Sequence, residues 1–319
     1  MSTLKTKNIQ HPSASGPAIA LNPNGTFTAD IEDLSAESLH GGTFSLRNKL
    51  INGSFDIWQR GTTFSGEVYT ADRWFVGGGG GASNRVFGPA GVATYALQVA
   101  LNTADVQQFI ELPATGRAGE YQVGTSWTLS WYQNHSTAGG ASLTFMDSSS
   151  VSGGSNPMTF GTPVAVETVG SWTRYKAEIA ITEAPVSTNT CLRVVVGNTG
   201  VTNTQYTGIQ FEKGGLTTFE QRPAGLELAL CQRYYQTVPK EIRIAVTITG
   251  SGQVNTYYQF PVTFRVAPTA SDVTYTSATA TGGAFNVRTN SMGDFSVTGP
   301  TDTALTTQLT NDLTLDAEF

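Results

Sequence analysis

The sequence predicts an all-β chain, and three observations lead there. Charged residues are 13% of the chain against about 25% in ordinary soluble domains; the polarity comes instead from Ser, Thr, Asn, Gln and Gly. Short runs rich in Val, Ile, Thr and aromatic residues alternate apolar with polar, the period of a half-buried strand. Ala/Glu/Lys/Leu-rich stretches of the kind that form long helices are almost missing.

A length of 319 residues suits about two domains of roughly 150 residues each. Residues 1–47 are rich in Ser, Asn, Gly and Pro, with apolar stretches as short as Ala18-Ile19-Ala20-Leu21. Such a segment cannot offset its ordering entropy alone, so it reads as an extended N-terminal stalk or anchor. Asn22-Pro23-Asn24-Gly25 marks a turn within it. From 48 to 221, short strands separated by Gly, Ser, Asn and Pro predict a jelly-roll β-sandwich. Its expected strands are Val92–Ala100, Val106–Leu112, Ser126–Tyr132, Ala141–Met146, Thr173–Ile181, Cys191–Val196 and Tyr206–Phe211. In the third, Trp127, Leu129 and Trp131 share one face and Thr128, Ser130 and Tyr132 the other; the tryptophan face should be core.

Residues 222–319 read as a short linker helix followed by a small C-terminal β-sandwich. The helix is expected over Pro223–Gln236, with proline in its first turn and Leu226, Leu230 and Tyr234, with Cys231 beside them, forming an apolar stripe. Strands resume with alternation of Ile242, Ile244, Val246 and Ile248, then of Tyr258, Phe260, Val262, Phe264 and Val266. Later ones are expected near Val273–Ser277, Ala284–Arg288, Phe295–Thr298 and Leu313–Phe319, with turns such as Thr281-Gly282-Gly283 between them.

The bulk properties narrow the function. A net charge of -6 and no Lys/Arg cluster leave no footprint for phosphate backbones, so nucleic acid is not an expected partner. No apolar run approaches the ~20 residues that span a bilayer, and Met1–Gln10 is polar, so neither membrane insertion nor a secretion signal is expected. Cys191 and Cys231 fit buried small hydrophobes in a reducing compartment. Gly77–Gly81 lacks the strand-then-helix frame of a phosphate loop and is expected as a mobile surface loop. His11, His40 and His135 have no metal-binding spacing, and no Gly-x-Ser-x-Gly elbow occurs.

Glycan cleavage needs two carboxylates about 5 to 9 Å apart. Asp56, Asp72, Asp105, Glu111, Glu120, Asp147, Glu178 and Glu212 are available, but none stands in a catalytic motif, so no enzyme activity is expected. Glycan binding asks only for an aromatic ring with amides and hydroxyls around it. Tyr132, Asn134 and His135 at one hairpin, and Asn255, Tyr257 and Tyr258 in the C-terminal sandwich, are the candidate contacts.

Several stretches are familiar. Asn48-Lys49-Leu50-Ile51-Asn52-Gly53-Ser54-Phe55-Asp56-Ile57-Trp58-Gln59-Arg60-Gly61 and Tyr69-Thr70-Ala71-Asp72-Arg73-Trp74 resemble the opening of a jelly-roll module of phage tail fibres, itself similar to carbohydrate-binding modules. The resemblance runs through Ser171-Trp172-Thr173-Arg174-Tyr175 and Gly208-Ile209-Gln210-Phe211-Glu212 to the linker from Phe219 to Tyr235. Phe260-Pro261-Val262 and Ala267-Pro268-Thr269 look like the tip of such fibres, and Lys7–Ser13 resembles leaders of cyanophage structural proteins. The resemblance implies a homotrimeric virion fibre made in the host cytoplasm. Its N-terminus would join the baseplate, tail or other fibre proteins, and its distal β domains would bind a host envelope glycan or surface protein; the alternatives are a glycan-degrading fibre and a purely structural collar or baseplate component. It also implies a structural calcium at Asn52, Asp56 and Glu212, oxygen-bearing residues in the segments that hold calcium in such modules; no other cofactor is expected.

Overall fold

Residues 1–44 and 45–319 make two separate compact units. The computed structural model describes residues 46–113, 117–135, 137–147, 157–197, 200–240, 243–248, 252–271, 275–276, 282–299, 303–309 and 311–319, together with five short strands before them. Those strands are β1 (Asn8–Ile9), β2 (Ile19–Leu21), β3 (Phe27–Ala29), β4 (Ser38–Leu39) and β5 (Gly42–Thr43). β1, β2 and β3 make an antiparallel sheet, and β4 pairs with β5. The rest of the expected stalk and the turn at 22–25 lie outside the described residues, as do Ile242, Thr281 and most of 273–277.

The second unit continues with β6 (Thr63–Ser65), β7 (Val68–Tyr69), β8 (Phe75–Gly77), β9 (Ala82–Phe87), β10 (Tyr95–Val99), β11 (Asp105–Glu111) and β12 (Ser126–Gln133). Then come β13 (Gly140–Met146), β14 (Met158–Thr159), β15 (Val164–Val169), β16 (Trp172–Ala180), β17 (Cys191–Gly197) and β18 (Thr204–Lys213). A seven-stranded sheet runs β15-β16-β12-β18-β10-β9-β6, and a six-stranded sheet runs β14-β13-β17-β11-β8-β7. From β10 onward the chain repeatedly crosses between the sheets, as in a jelly roll. All seven strands expected between 92 and 211 are present. Three of the six not expected, β6, β7 and β14, are edge strands of two or three residues, whose alternation is too brief to register; the others are the inner strands β8 and β9 and the six-residue edge strand β15.

Alternation decides which side of each strand is core. Trp127, Leu129 and Trp131 from one sheet meet Val106, Leu143, Phe145, Leu192, Val194 and Val196 from the other in a single buried cluster. Both cysteines are buried and free. Residues 48–57 close one end of the sandwich, with Leu50 and Phe55 inserted in the core. Asn48 Oδ1 accepts from Leu50 N and Phe211 N while its Nδ2 donates to Ile209 O. Gly53 must be glycine, because a Cβ there would lie 2.3 Å from Ile209 O. The glycine run is no free loop either: Gly77 is a strand residue paired with Asp105, and backbones at Gly78 and Gly80 press on Thr103 and Gly66 too closely for any Cβ.

The linker helix departs from expectation. α1 spans Ala224–Gln232, and β19 (Tyr235–Val238) follows at once. The expected stripe is buried only toward its C-terminal end: Tyr234 and Cys231 are buried and Leu230 is half-buried, whereas Leu226 is exposed and Glu227 is buried next to it. The helix docks through its carboxylate. Glu227 accepts from the backbone N–H of Asn52 and pairs with Arg222 at 3.2 Å, and Arg222 in turn donates to Leu50 O and Asn48 O, so the carboxylate is tied to the 48–57 segment directly and through Arg222. No helix among the described residues is long and apolar enough to cross a membrane.

The remaining strands are β20 (Arg243–Ile248), β21 (Gln253–Gln259), β22 (Thr269–Ala270), β23 (Tyr275–Thr276), β24 (Gly282–Val287), β25 (Met292–Thr298), β26 (Thr303–Leu309) and β27 (Leu313–Asp316). They form three three-stranded sheets, β19-β27-β22, β20-β26-β23 and β21-β25-β24. Phe260, Phe264, Phe295, Val297, Leu309, Leu313 and Leu315 are among their shared core. The strand expected to run through Val266 stops at Gln259, since Pro261 has no N–H for a ladder; Phe260 and Phe264 still reach the core from irregular backbone.

Two arginines bind the C-terminal residues to the jelly roll. Arg73, 1% exposed, donates to Glu318 and to Phe109 O and lies 3.4 Å from the centroid of the Tyr234 ring. Arg60 pairs with Asp316 at 3.0 Å and lies 3.7 Å from the Tyr235 ring centroid. A buried guanidinium and carboxylate are tolerated only as a pair. Arg73→Met is therefore expected to lower stability by about 3–5 kcal/mol, by leaving buried Glu318 with Arg60 Nη2 at 3.6 Å as its remaining cation. The double variant Arg73→Met/Glu318→Leu should recover part of that loss, read as urea unfolding midpoints.

Candidate functional site

On the outer face of the seven-stranded sheet, four side chains form one cross-strand row. Glu167 on β15 is opposite Arg174 on β16, which is opposite Tyr132 on β12, which is opposite Thr207 on β18. Two irregularities set this row. Between Ser130 and Tyr132 the β12–β18 register slips by one residue, and Gly208, at φ +56°, takes up the extra residue. A Cβ on Gly208 would lie 2.7 Å from Tyr132 Cδ2, so the phenol ring rests directly on bare backbone. A second slip between Ala165 and Glu167 brings Glu167 opposite Arg174.

The row is bonded along its length. Tyr132 donates its hydroxyl to Glu167. Arg174 Nη1 is 3.8 Å from Glu167 Oε1, while Nη2 donates to Thr217 O at 2.7 Å and to Ser130 Oγ at 3.2 Å. Its Nε is buried without a hydrogen-bond partner. Burial, with the hydrogen bond to Glu167, pushes the Tyr132 phenol up to about 12, against the pull of Arg174.

Above this row lies a hollow of about 250 Å³ lined by Gly91, Val92, Tyr132, Glu167, Arg174, Thr218, Phe219 and Gln221. A second hollow of about 450 Å³, lined by Gly88, Ala90–Thr94 and Gln221, shares Gly91, Val92 and Gln221 with it. The two make one groove between the β9–β10 loop and the start of the linker. It offers a phenol, a guanidinium, a carboxylate and an amide beside apolar Val92 and Phe219. That mixture suits a neutral polar ligand with several hydroxyls.

Of the expected contacts, Tyr132 alone lines the groove. Asn134 is taken up in the ladder, its Oδ1 accepting from Gln205 N at 2.8 Å. His135 holds its own turn, with Nδ1 accepting from Thr137 N at 3.1 Å and its carbonyl from Gln133 Nε2 at 2.9 Å. In the C-terminal part, Asn255 and Tyr257 lie exposed on one face of β21, Tyr257 at 67%. Tyr258 points the other way, 6.0 Å from the Phe295 ring, in the core. Neighbours on a strand face opposite sides, so Tyr258 does not join Asn255 and Tyr257 on one ligand.

The residues expected for calcium do not fit it. Asn52, fully buried, accepts from Ile57 N and donates to Ile57 O and Asp72 O. Asp56 accepts from the Ser54 hydroxyl, and Glu212 accepts from Gln210 Nε2, Thr217 N and Thr217 Oγ1. Their oxygens serve N–H and O–H donors in separate networks. Among the described residues, no group of three or more His, Cys, Asp or Glu could hold a metal.

Glu167, Arg174 and Gln221 were not legible as a site in advance. Arg174 and Gln221 do lie in the familiar stretches 171–175 and 219–235, which was the available signal; Glu167 carries none.

No protein-family model matches the chain, and no curated protein matches it. Solved structures give distant likenesses. The enzymatically active domain of tailspike protein 4 of bacteriophage CBA120 is 11% identical, with TM-score 0.32 over 53% of this chain and 22% of that one. The CBM22-1–GH10 modules of Clostridium thermocellum xylanase 10B are 14% identical, with TM-score 0.29 over 50% and 29%. TmCBM61, solved with β-1,4-galactotriose, is 19% identical, with TM-score 0.28 over 53% and 99%. The chain thus spans 22% and 29% of the first two. Likenesses at this level say nothing of its function.

Two expectations follow from the geometry. Gly208→Ala should cost about 1–2 kcal/mol for the left-handed backbone alone, and more as the Tyr132 ring is displaced, seen as a lower melting temperature and altered tyrosine absorption. The second concerns alkali. An unfolded phenol ionises near pH 10, whereas folded Tyr132 does so at about 12, so its stabilising contribution is whole below the first value and lost as pH rises through the second. Tyr132→Phe should flatten the fall in stability across that window, measured by denaturant melts at stepped pH.

Proposed function

We propose that this chain binds glycan through the Tyr132–Arg174–Glu167 groove, as the host-attachment part of a virion tail fibre. The observation that carries the reading is the groove lining, in which Tyr132, Arg174, Glu167 and Gln221 stand together beside Val92 and Phe219, with Arg174 fixed by Thr217 O and Ser130 Oγ. Sugar hydroxyls donate to Glu167 and to the Gln221 amide oxygen and accept from the Arg174 guanidinium. Val92 and Phe219 cover the apolar C–H edge of the sugar. The sequence resemblance to phage fibre modules supports the virion setting, with residues 1–47 as the anchor to the tail. In a homotrimer, three grooves on one fibre turn weak contacts into tight attachment through effective concentration.

A glycan-degrading fibre is the competing reading. Cleavage asks for a second carboxylate about 5 to 9 Å from the first, and Glu167 is the one carboxylate lining the groove among the described residues. Asp72 is buried under Gln59, Glu111 faces Arg233, Glu120 faces Lys49 and Glu178 faces Lys176.

The test is binding of purified host envelope polysaccharide by calorimetry, with reducing ends assayed in parallel. Arg174→Gln and Glu167→Gln are each expected to weaken binding about tenfold or more, without release of reducing ends, and the wild-type protein should block phage adsorption. Unchanged binding in both variants would remove the groove from the reading, and accumulating reducing ends would favour the enzyme. Light scattering at the monomer mass would remove the trimer.

A further inference from the structure

The two faces of the β21-β25-β24 sheet have opposite chemistry. Val254, Tyr258, Phe285, Phe295 and Val297 turn toward the core, so alternation sends Gln253, Asn255, Tyr257 and Gln259 of β21 to the outside. Register completes that outer face. Asn255 is opposite Ser296, which is opposite Ala284; Tyr257 is opposite Asp294, which is opposite Asn286. Arg288, two residues beyond Asn286 and on the same side, pairs with Asp294.

The polar groups of this face are oriented by their own bonds. Asn286 Nδ2 donates to Asp294 Oδ2 at 3.2 Å and Arg288 Nε donates to Oδ1, so Asp294, fully buried, is satisfied on both oxygens. Gln253 Nε2 donates to Asn255 Oδ1 at 3.3 Å, and Gln259 Nε2 to Ser291 O at 2.8 Å. An amide with one end fixed has its other end determined. Asn255 Nδ2 is left to donate, while the amide oxygens of Gln253, Gln259 and Asn286 are left to accept. Among these groups stands Tyr257, 67% exposed. Beyond Asn255 the neighbouring row carries only Ser296 and Ala284, so the phenol ring rises beside a low step.

We propose that this outer face is a second saccharide site, a shelf on which one neutral pyranose stacks against Tyr257 while its hydroxyls meet Asn255 Nδ2 and Asn286 Oδ1. A pyranose has an apolar C–H face for a bare aromatic ring, and its hydroxyls both donate and accept, as the free amide ends around Tyr257 require. Charge points to the same class of ligand. Asp294 is the one carboxylate of this face among the described residues, and Arg288 neutralises it, so the shelf suits a neutral sugar rather than an acidic one. The site lies in the C-terminal part, apart from the jelly-roll groove, and does not depend on the reading of that groove.

The test uses the whole chain with its 11 tyrosines replaced by 3-fluorotyrosine and observed by fluorine-19 NMR, the Tyr257 and Tyr132 signals being assigned from Tyr257→Phe and Tyr132→Phe. Methyl β-D-glucopyranoside, methyl β-D-galactopyranoside, methyl α-D-mannopyranoside and oligosaccharides cut from host envelope polysaccharide are titrated in turn. With at least one of them the Tyr257 signal is expected to shift saturably. Asn255→Ala should raise the apparent Kd of that shift about fivefold, the loss of one hydrogen bond, while the other tyrosine signals keep their folded dispersion. Glu167→Gln should leave the Tyr257 response unchanged, so failure of this shelf and failure of the groove are read on different signals. A Tyr257 signal unmoved by every saccharide overturns the proposal. So does a shift that Asn255→Ala and Asn286→Ala both leave unchanged, or one produced only by diluting the protein, which would mark a contact between copies of the chain.

Discussion

Burying Arg73 constrains more of this structure than any other single feature. A guanidinium taken out of water needs a counter-charge, or the fold that buries it is destabilised. Arg73 meets Glu318, Phe109 O and the face of Tyr234, which come from three distant parts of the chain. The helix, the strand after it and the last residues are thereby held against the jelly roll. Arg265 reinforces the arrangement, donating to the carbonyls of Ala317 and Glu318. The consequence reaches the outer face of the six-stranded sheet, where Phe319 packs with Phe109, Met146 and Cys191.

The groove on the other sheet depends on a different constraint, the pleat itself. A strand offers every second side chain to one face, and a one-residue slip changes which residues meet. The slips at Gly208 and near Glu167 occur where the sheet must align Tyr132, Arg174 and Glu167 in one row. The floor of the groove therefore belongs to rigid strands, while its walls come from the 88–94 loop and the linker near Gln221. That division suits recognition: the polar groups are positioned before a ligand arrives, so little ordering remains to be done on binding.

The opening motif 48–61 with 69–74, and the linker 219–235, have their explanation in packing. Asn48, Asn52 and Gly53 hold the end of the sandwich closed against β18, Asp72 receives Gln59, and Arg60, Arg73, Tyr234 and Tyr235 form the junction with the C-terminal part. Residues expected as calcium ligands turn out to serve this closure or the turn at Thr217. A stretch of sequence that looks specific can be so because it must fit itself.

The strands from 92 to 211 and the burial of Trp127, Leu129 and Trp131 were legible in the sequence, because period-two alternation is a local property that survives without knowledge of partners. Much of the site was not. Tyr132 was visible as an aromatic on the outward face, but Arg174 and Glu167 meet it only through pairing of β12 with β16 and of β16 with β15. The helix shows the same limit: its apolar spacing suggested a stripe from Leu226 to Tyr234, of which Tyr234 and the neighbouring Cys231 are buried, whereas at the start Leu226 is exposed and Glu227 is buried by meeting Arg222 and the backbone of Asn52. Local pattern determined that this chain would be β and which residues would turn inward. Which polar groups would stand together was decided by strand register and by the pairing of buried charges, and both join residues far apart in the chain.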